Sequence, residues 1–244
     1  MWLIEWLCTL AGTVKVKTLK LYLSGIKSYQ LDLGIDCKDF ADARLERTIQ
    51  GMKRDHNEPE RRTQTPLTRP HLLRILTFLP PSTYNNIMTR AAFTLAFTGF
   101  LRVGEFTYKE VDRELGLSFP KWFFAKSCIH ISQSGAHMEL SLPSSKTDPF
   151  RKGIRLTIAA TYDAGCPVKA MQQLLTIDTH RPSHAPLFCI GKDIQSALTR
   201  EYIVQRLQQL ATTAGLGHGT WTAHSFRRGA ATWAAEVGMA ENEI

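Results

Sequence analysis

The run AHSFRRGAATWAAEVGM, residues 223–239, decides how this chain is read. Phe226, Ala230, Ala234 and Val237 recur at helical spacing, so one stripe is apolar and belongs against a core. His224 and Arg227, three residues apart, then share a neighbouring face of the same helix. An imidazole and a guanidinium at the edge of a core are the first chemical signal in the chain.

Working outward, Ile203, Leu207, Leu210 and Ala214 give a second helical stripe, and Pro167 to Leu175 a third. From Cys128 to Ile158 the period changes from 3.6 to 2. Met138, Leu140 and Leu142 alternate with Glu139 and Ser141, and Ile154, Leu156 and Ile158 alternate with Arg155 and Thr157. The connecting PSSKTDPFRKG is rich in turn formers, which puts Lys146 on the link between two antiparallel strands. Earlier still, Ile87 to Phe100 is apolar on most faces and predicts a buried helix. LRVGE, residues 101–105, ends it and leaves Arg102 and Glu105 at the core's edge. Thr68, with Pro70 in the first turn, caps a helix running through Leu72, Leu73, Ile75 and Leu76.

DHNEPERRTQT, residues 55–65, has almost no apolar side chain and reads as an interdomain linker. The boundary is placed there, giving domains 1–62 and 63–244. Lys53, Arg54, Arg61 and Arg62 flank it, either as a basic strap across DNA or as a bipartite nuclear address, the ordinary reading being a solvated linker. In the first domain Leu19, Tyr22, Leu23, Ile26 and Tyr29 predict one buried stripe, and Phe40, Leu45, Ile49 and Met52 a second. Lys15, Lys17, Lys20 and Lys27 lie among the polar positions of the first stripe and form a face suited to a phosphate backbone.

The chain has 244 residues, 43% of them hydrophobic and 21% charged, which excludes disorder, collagen and coiled coil. Its net charge of +8 favours a polyanionic partner, nucleic acid first and acidic membrane second. Five cysteines, an odd number with no C-x-x-C pair, read as reduced and intracellular. The opening MWLIEWLCTLAG has roughly ten apolar positions, too few to span a bilayer, and lacks the basic start of a signal peptide. The acids form no D-x-D or E-x-K pattern and the eight histidines lack ligand spacing, which argues against a metal nuclease. A helical regulator reading DNA through one helix would leave SSKT between alternating strands unexplained.

Taken singly, Arg102, Lys146 and the His224–Arg227 pair have ordinary readings as a helix-end cation, a solvated turn lysine and surface decoration. Together TGFLRVGE around Arg102, LPSSKTDPFRKG around Lys146 and AHSFRRGAATWAAEVGM around Arg227 resemble the arginine box, hairpin lysine and H-x-x-R box of the tyrosine recombinase (phage integrase) family, in matching order and intervals. The wording SKTDPFRKG and HSFRRGAAT is similar to the eukaryotic branch carried by retroelements and DNA transposons. LKLYLSGIKSY echoes a helix of that family's core-binding domain. The resemblance implies a mainly α chain with a small antiparallel sheet (α+β), in which 1–62 is the helical core-binding domain and 63–244 the catalytic domain.

It also implies a reaction. A tyrosine hydroxyl attacks a DNA phosphodiester to give a 3′-phosphotyrosine, without metal or other cofactor. Arg102 and Arg227 would hold the nonbridging oxygens through planar forks. Lys146 would protonate the 5′-leaving oxygen, His224 would donate a hydrogen bond or shuttle a proton, and Glu105 would orient Arg102. Lys15, Lys17, Lys20, Lys27, Lys53, Arg54, Arg61, Arg62 and Arg228 would contact double-stranded DNA, in the nucleus and without a membrane. In the family the nucleophile follows the H-x-x-R helix, whereas the six tyrosines here all precede it. The expectation is a chain truncated before its nucleophile, inactive as written and monomeric in solution, where the family assembles as a tetramer on DNA. The alternative is a catalytically inactive, domesticated DNA-binding module.

Overall fold

A computed structural model describes residues 2–55, 64–108, 124–143, 148, 150, 152–193, 196–217 and 219–240. The chain divides into two compact units, Met1–Arg62 and Thr63–Ile244. Among the described residues no helix is long and apolar enough to cross a membrane.

In the first unit, α1 (Trp2–Leu10), α2 (Val16–Asp32) and α3 (Ala43–Asp55) enclose one core. Leu3, Leu7, Val16, Leu19, Leu23, Leu45, Ile49 and Met52 are buried, and Phe40 packs on them from a short 3-10 turn. The α3 stripe lies where its spacing puts it. The α2 stripe is rotated from the expected one: Val16, Leu19 and Leu23 point inward, while Tyr22 and Tyr29 are 43% and 66% exposed. The buried positions of this small core are taken by Leu, Ile, Val and Met side chains, and a tyrosine left at its margin keeps its hydroxyl in water.

The second unit is built around α5 (Tyr84–Thr98), in which every residue from Ile87 to Phe97 except Arg90 is buried. Arg90 is tied down by donating to the carbonyls of Leu76, Leu79 and Ala164 at 2.8, 3.4 and 2.7 Å. Ahead of α5, the hydroxyl of Thr68 accepts the His71 N–H and caps α4 (Arg69–Thr77), as expected of a threonine placed before a first-turn proline. After it come the single turn α6 (Val103–Phe106) and a three-stranded antiparallel sheet ordered β1 (Ile129–Ile131), β2 (His137–Leu142), β3 (Ile154–Ala159). Leu140 stands opposite Ile129 and Leu156, and Met138 opposite Ile131 and Ile158. These pairs make the sheet's inner face. The alternation on β3 weakens toward the hairpin, where Ile154, on the edge strand, is 39% exposed although Leu142 opposite it on the central strand stays buried.

Helices α7 (Pro167–Ile177), α8 (Arg200–Thr213) and α9 (Ser225–Glu236) complete the described unit. Phe226, Ala230 and Ala234 are buried on α9. Val237 falls just past the helix end and is 58% exposed, contrary to its expected place in the stripe. Phe226 meets Phe93 edge to face at 4.9 Å, and Trp233 lies 5.9 Å from Phe97, so α9 is pinned along α5.

Two devices hold this unit together. The chain entering it runs beside α9: Thr65 N–H donates to Thr220 O at 3.1 Å and Leu67 N–H to Ser225 O at 2.9 Å. That approach requires glycine at 229, since a Cβ there would overlap the Leu67 carbonyl and come within 2.9 Å of its amide nitrogen. The second device is a buried ion pair that no periodicity announces. Asp178 and Arg181 are 2% and 7% exposed. Arg181 Nε donates to both Asp178 oxygens at 2.7 Å, Nη1 to the Pro186 carbonyl at 2.6 Å, and Nη2 to the Leu187 carbonyl and the Tyr84 hydroxyl at 3.0 and 3.2 Å. Lys126 Nζ donates to the carbonyls of Asp178 and Arg181 at 2.5 and 2.9 Å. Burial pushes the Cys189 thiol beside this cluster up to about 11 and raises the Tyr84 phenol further above its ordinary value.

Two stability outcomes follow from these devices. Gly229→Ala costs about 3 kcal/mol or more in urea unfolding, whereas Gly104→Ala, with open space at its Cβ, stays within about 0.5 kcal/mol. Asp178→Asn leaves Arg181 buried without its counter-charge and costs about 3–5 kcal/mol by the same measurement.

Candidate functional site

The site forms where α5 ends. Leu101 N–H reaches back to Ala96 O at 3.0 Å and Phe100 N–H to Phe97 O at 3.3 Å, closing the helix through a left-handed residue. That residue is Phe100, with φ of 52°, a conformation that strains a bulky side chain. Glycine precedes it at 99, where a Cβ would press on the Leu95 carbonyl at 3.0 Å and on Ile158 of β3 at 3.3 Å. The reversal turns the Phe100 carbonyl toward α9, and Arg227 Nη1 donates to it at 3.2 Å.

Two residues further on, Arg102 caps α6. Its backbone N–H donates to Glu105 Oε2 at 2.8 Å and its Nη1 to Glu105 Oε1 at 3.0 Å. One carboxylate thus completes the helix start and fixes the guanidinium. Glu105 is 9% exposed and Arg102 29%, so the acid sits in the protein and the cation reaches water. Arg102 and Arg227, separated by 125 positions (227 − 102), are brought together at one turn, residues 99–105.

His224 is exposed at the N-cap of α9, its backbone N–H donating to Thr222 Oγ1 at 3.2 Å. Arg228 is exposed one residue beyond Arg227. Ser225 between them is fully buried, and its hydroxyl accepts the Thr222 N–H at 2.9 Å, which tightens the turn that carries His224. Chemically, the constellation sets two planar guanidinium forks, one paired with an acid and one held by a neutral carbonyl, with His224 three residues before Arg227 at the start of the same helix. It suits a tetrahedral oxyanion carrying several acceptor oxygens.

Lys146 lies outside the described residues, as do Arg61 and Arg62. Lys15, Lys17, Lys20, Lys27, Lys53 and Arg54 are exposed in the first unit. The four lysines do not share one face. Lys17, Lys20 and Lys27 lie to one side of the buried α2 stripe and Lys15 to the other, because Lys15 and Lys17 flank the buried Val16. Lys20 also stands 3.9 Å from Glu46 of α3, which offsets part of its charge. Two tyrosines of the second unit are structural: Tyr84 meets Arg181, and Tyr108 donates to Phe124 O at 2.5 Å, with burial raising both phenols. Among the described residues no three His, Cys, Asp or Glu side chains are grouped to hold a metal.

The participant that the motifs missed is the Phe100 carbonyl. A backbone acceptor has no signature of its own, and the signal available was the glycine at 99 followed by a residue forced into the left-handed region.

No protein-family model matches this sequence, and no curated protein matches it. Solved structures do. XerH site-specific recombinase, captured with its difH substrate in a pre-cleavage complex, superposes with a TM-score of 0.50 at 16% identity, over 93% of this chain and 61% of XerH. XerA recombinase gives 0.44 at 16% identity over 97% of this chain and 76% of XerA. A lambda integrase dimer bound to a COC′ core site gives 0.44 at 17% identity over 98% of this chain and 70% of the integrase. The chain therefore spans about three fifths of the length of XerH, and what it shares with that recombinase is the fold: mainly helical, with a small three-stranded antiparallel sheet.

Proposed function

We propose that this chain is a DNA-binding protein of the tyrosine-recombinase kind, in which Arg102 and Arg227 grip one backbone phosphate of double-stranded DNA during breakage, rejoining and integration. The observation that carries the reading is the shared turn: Arg227 is held by the Phe100 carbonyl and Arg102 by Glu105, anchors five residues apart (105 − 100). Guanidinium groups fixed in this way pre-organise a site for the charge that develops on a phosphoryl oxygen under attack. The likeness to XerH, which was captured with a substrate, supports the same reading.

In this scheme His224 donates to the phosphate or moves a proton beside it, and Lys146 protonates the 5′-leaving oxygen. Glu105 acts through Arg102. The reaction this grip would serve is attack of a tyrosine hydroxyl on the held phosphate, giving a 3′-phosphotyrosine and a free 5′-hydroxyl. The exposed cations of the first unit, with Arg228, supply sequence-independent attraction along the duplex. We place the protein in the nucleus, on a eukaryotic mobile element, by the wording of its motifs.

The test is fluorescence anisotropy on a labelled duplex. Affinity falls steeply as salt rises from about 50 to about 200 mM. Arg102→Ala and Arg227→Ala each weaken binding about tenfold or more, and the double variant loses less than the sum, because both forks serve one phosphate. Flat salt dependence, or additive losses no larger than that of the exposed Arg200→Ala, would overturn the reading.

A further inference from the structure

A cavity of about 320 Å³ opens in the second unit between the end of α4, the middle of α5 and the first turns of α7. It shares no residue with the turn that carries the arginine site, and its volume is that of a small-molecule pocket. Its walls are of two kinds. Leu76, Pro80 and Pro81 supply apolar surface, and Arg90 and Lys169 supply two cations.

The charges of this cavity do not balance within it. Arg90 is half-buried, and the carbonyls of Leu76, Leu79 and Ala164 take three of its five N–H groups, which leaves two for another acceptor. Burial alone pushes its guanidinium below the ordinary value, with no neighbouring acid to raise it. Lys169 is exposed at the rim, and neither cation forms an ion pair among the described residues. Asp163 also lines the cavity, but both its oxygens are engaged elsewhere. Oδ2 pairs with Arg69, and Oδ1 accepts the Thr161 hydroxyl and the Gly165 N–H at 2.7 and 3.0 Å.

Carbonyl dipoles offset part of the cost of drawing a guanidinium out of water, and an oxyanion offsets more, through the charge-assisted bonds a planar fork favours. We propose that this cavity binds a small organic oxyanion, a carboxylate or phosphate on an apolar body. Arg90 takes the oxyanion at the wall, Lys169 meets it from the rim, and the body lies against Leu76, Pro80 and Pro81. A duplex presents its phosphates on a convex backbone, which suits exposed cations better than one set into a cavity wall. Such a site is independent of the proposed grip on DNA.

Cys166 lines the same cavity and reports on it. Burial raises its thiol, but the backbone amides of Lys169, Tyr162, Thr161 and Val168 outweigh this and bring it below the ordinary thiol value. It is therefore alkylated faster than Cys189, whose thiol burial pushes up.

The experiment titrates the full chain calorimetrically and maps cysteine alkylation by mass spectrometry after brief exposure to iodoacetamide. Benzoate and phenyl phosphate each saturate one site, and neutral benzyl alcohol binds about tenfold or more weakly. The tighter of the two anions names the oxyanion. Each slows alkylation of Cys166 in proportion to occupancy and leaves exposed Cys8 unaffected. Lys169→Gln, at an exposed position, keeps its urea midpoint and weakens the anions about threefold. Arg90→Gln weakens them about tenfold or more; should that variant unfold, Lys169→Gln and the protection of Cys166 decide. Benzyl alcohol binding as tightly as the anions, no saturable binding, or unslowed alkylation of Cys166 at saturating anion overturns the proposal. Release of the bound anion by an unlabelled duplex assigns the two cations to DNA and overturns it as well. A chain that binds the anions but no duplex supports this site and overturns the DNA reading alone.

Discussion

The site depends on a side chain that is absent. Gly229 lets the backbone of Leu67 lie directly on α9, and the hydrogen bond from Leu67 to the Ser225 carbonyl then sets that helix's position along the entering chain. Phe226, one residue after Ser225, seats against Phe93, and Arg227, the next, reaches the end of α5. Three consecutive positions thus take up a backbone contact, a core contact and a functional contact. A shift of α9 outward by the width of a methyl group would move Arg227 away from an acceptor now at 3.2 Å, and hydrogen bonds weaken rapidly beyond that range. In HSFRRGAAT the glycine matters to the chemistry because the arginine two residues before it has to be placed.

The two arginines are held by unlike partners, and the difference affects what they can bind. Glu105 is a nearly buried acid whose desolvation is offset by two hydrogen bonds from one residue, the backbone N–H and Nη1 of Arg102. It fixes Arg102 at the expense of part of its positive field. The Phe100 carbonyl fixes Arg227 with a dipole and leaves its charge undiminished. The trio of Arg102, Arg227 and Glu105 carries a formal charge of +1, with exposed Arg228 and His224 at its border. A surplus of this kind attracts a phosphate, whereas two unscreened guanidinium groups would repel each other and splay. Arg181 shows the contrary arrangement. Its buried guanidinium is spent on Asp178, the Pro186 and Leu187 carbonyls and the Tyr84 hydroxyl.

Where burial follows a single stripe, the sequence was legible. The helices through Leu72–Leu76, Ile87–Phe97, Ile203–Ala211 and Phe226–Ala234, and the alternation of Met138, Leu140 and Leu142, lie where their spacing puts them. Legibility failed at margins. Tyr22 and Tyr29 fit a helical period but are amphipathic, and a three-helix core filled by aliphatic groups leaves them outside. Ile154 and Val237 fit their periods too, yet one stands at the end of an edge strand and the other past the last helical turn. Strand β1 has three residues, too few to display a period, and owes its existence to pairing with β2. In the site, the motifs named Arg102, Glu105, His224 and Arg227. That Phe100 would hold Arg227 depends on a local reversal of the backbone, for which side-chain patterns carry no code.

The arginines stand on the ends of α5 and α9, which are locked by Phe93, Phe97, Phe226 and Trp233, so their geometry is as rigid as the core itself. Rigidity is what the proposed grip on one phosphate would require, since misplacement of a functional group by an ångström can cost about a hundredfold in rate.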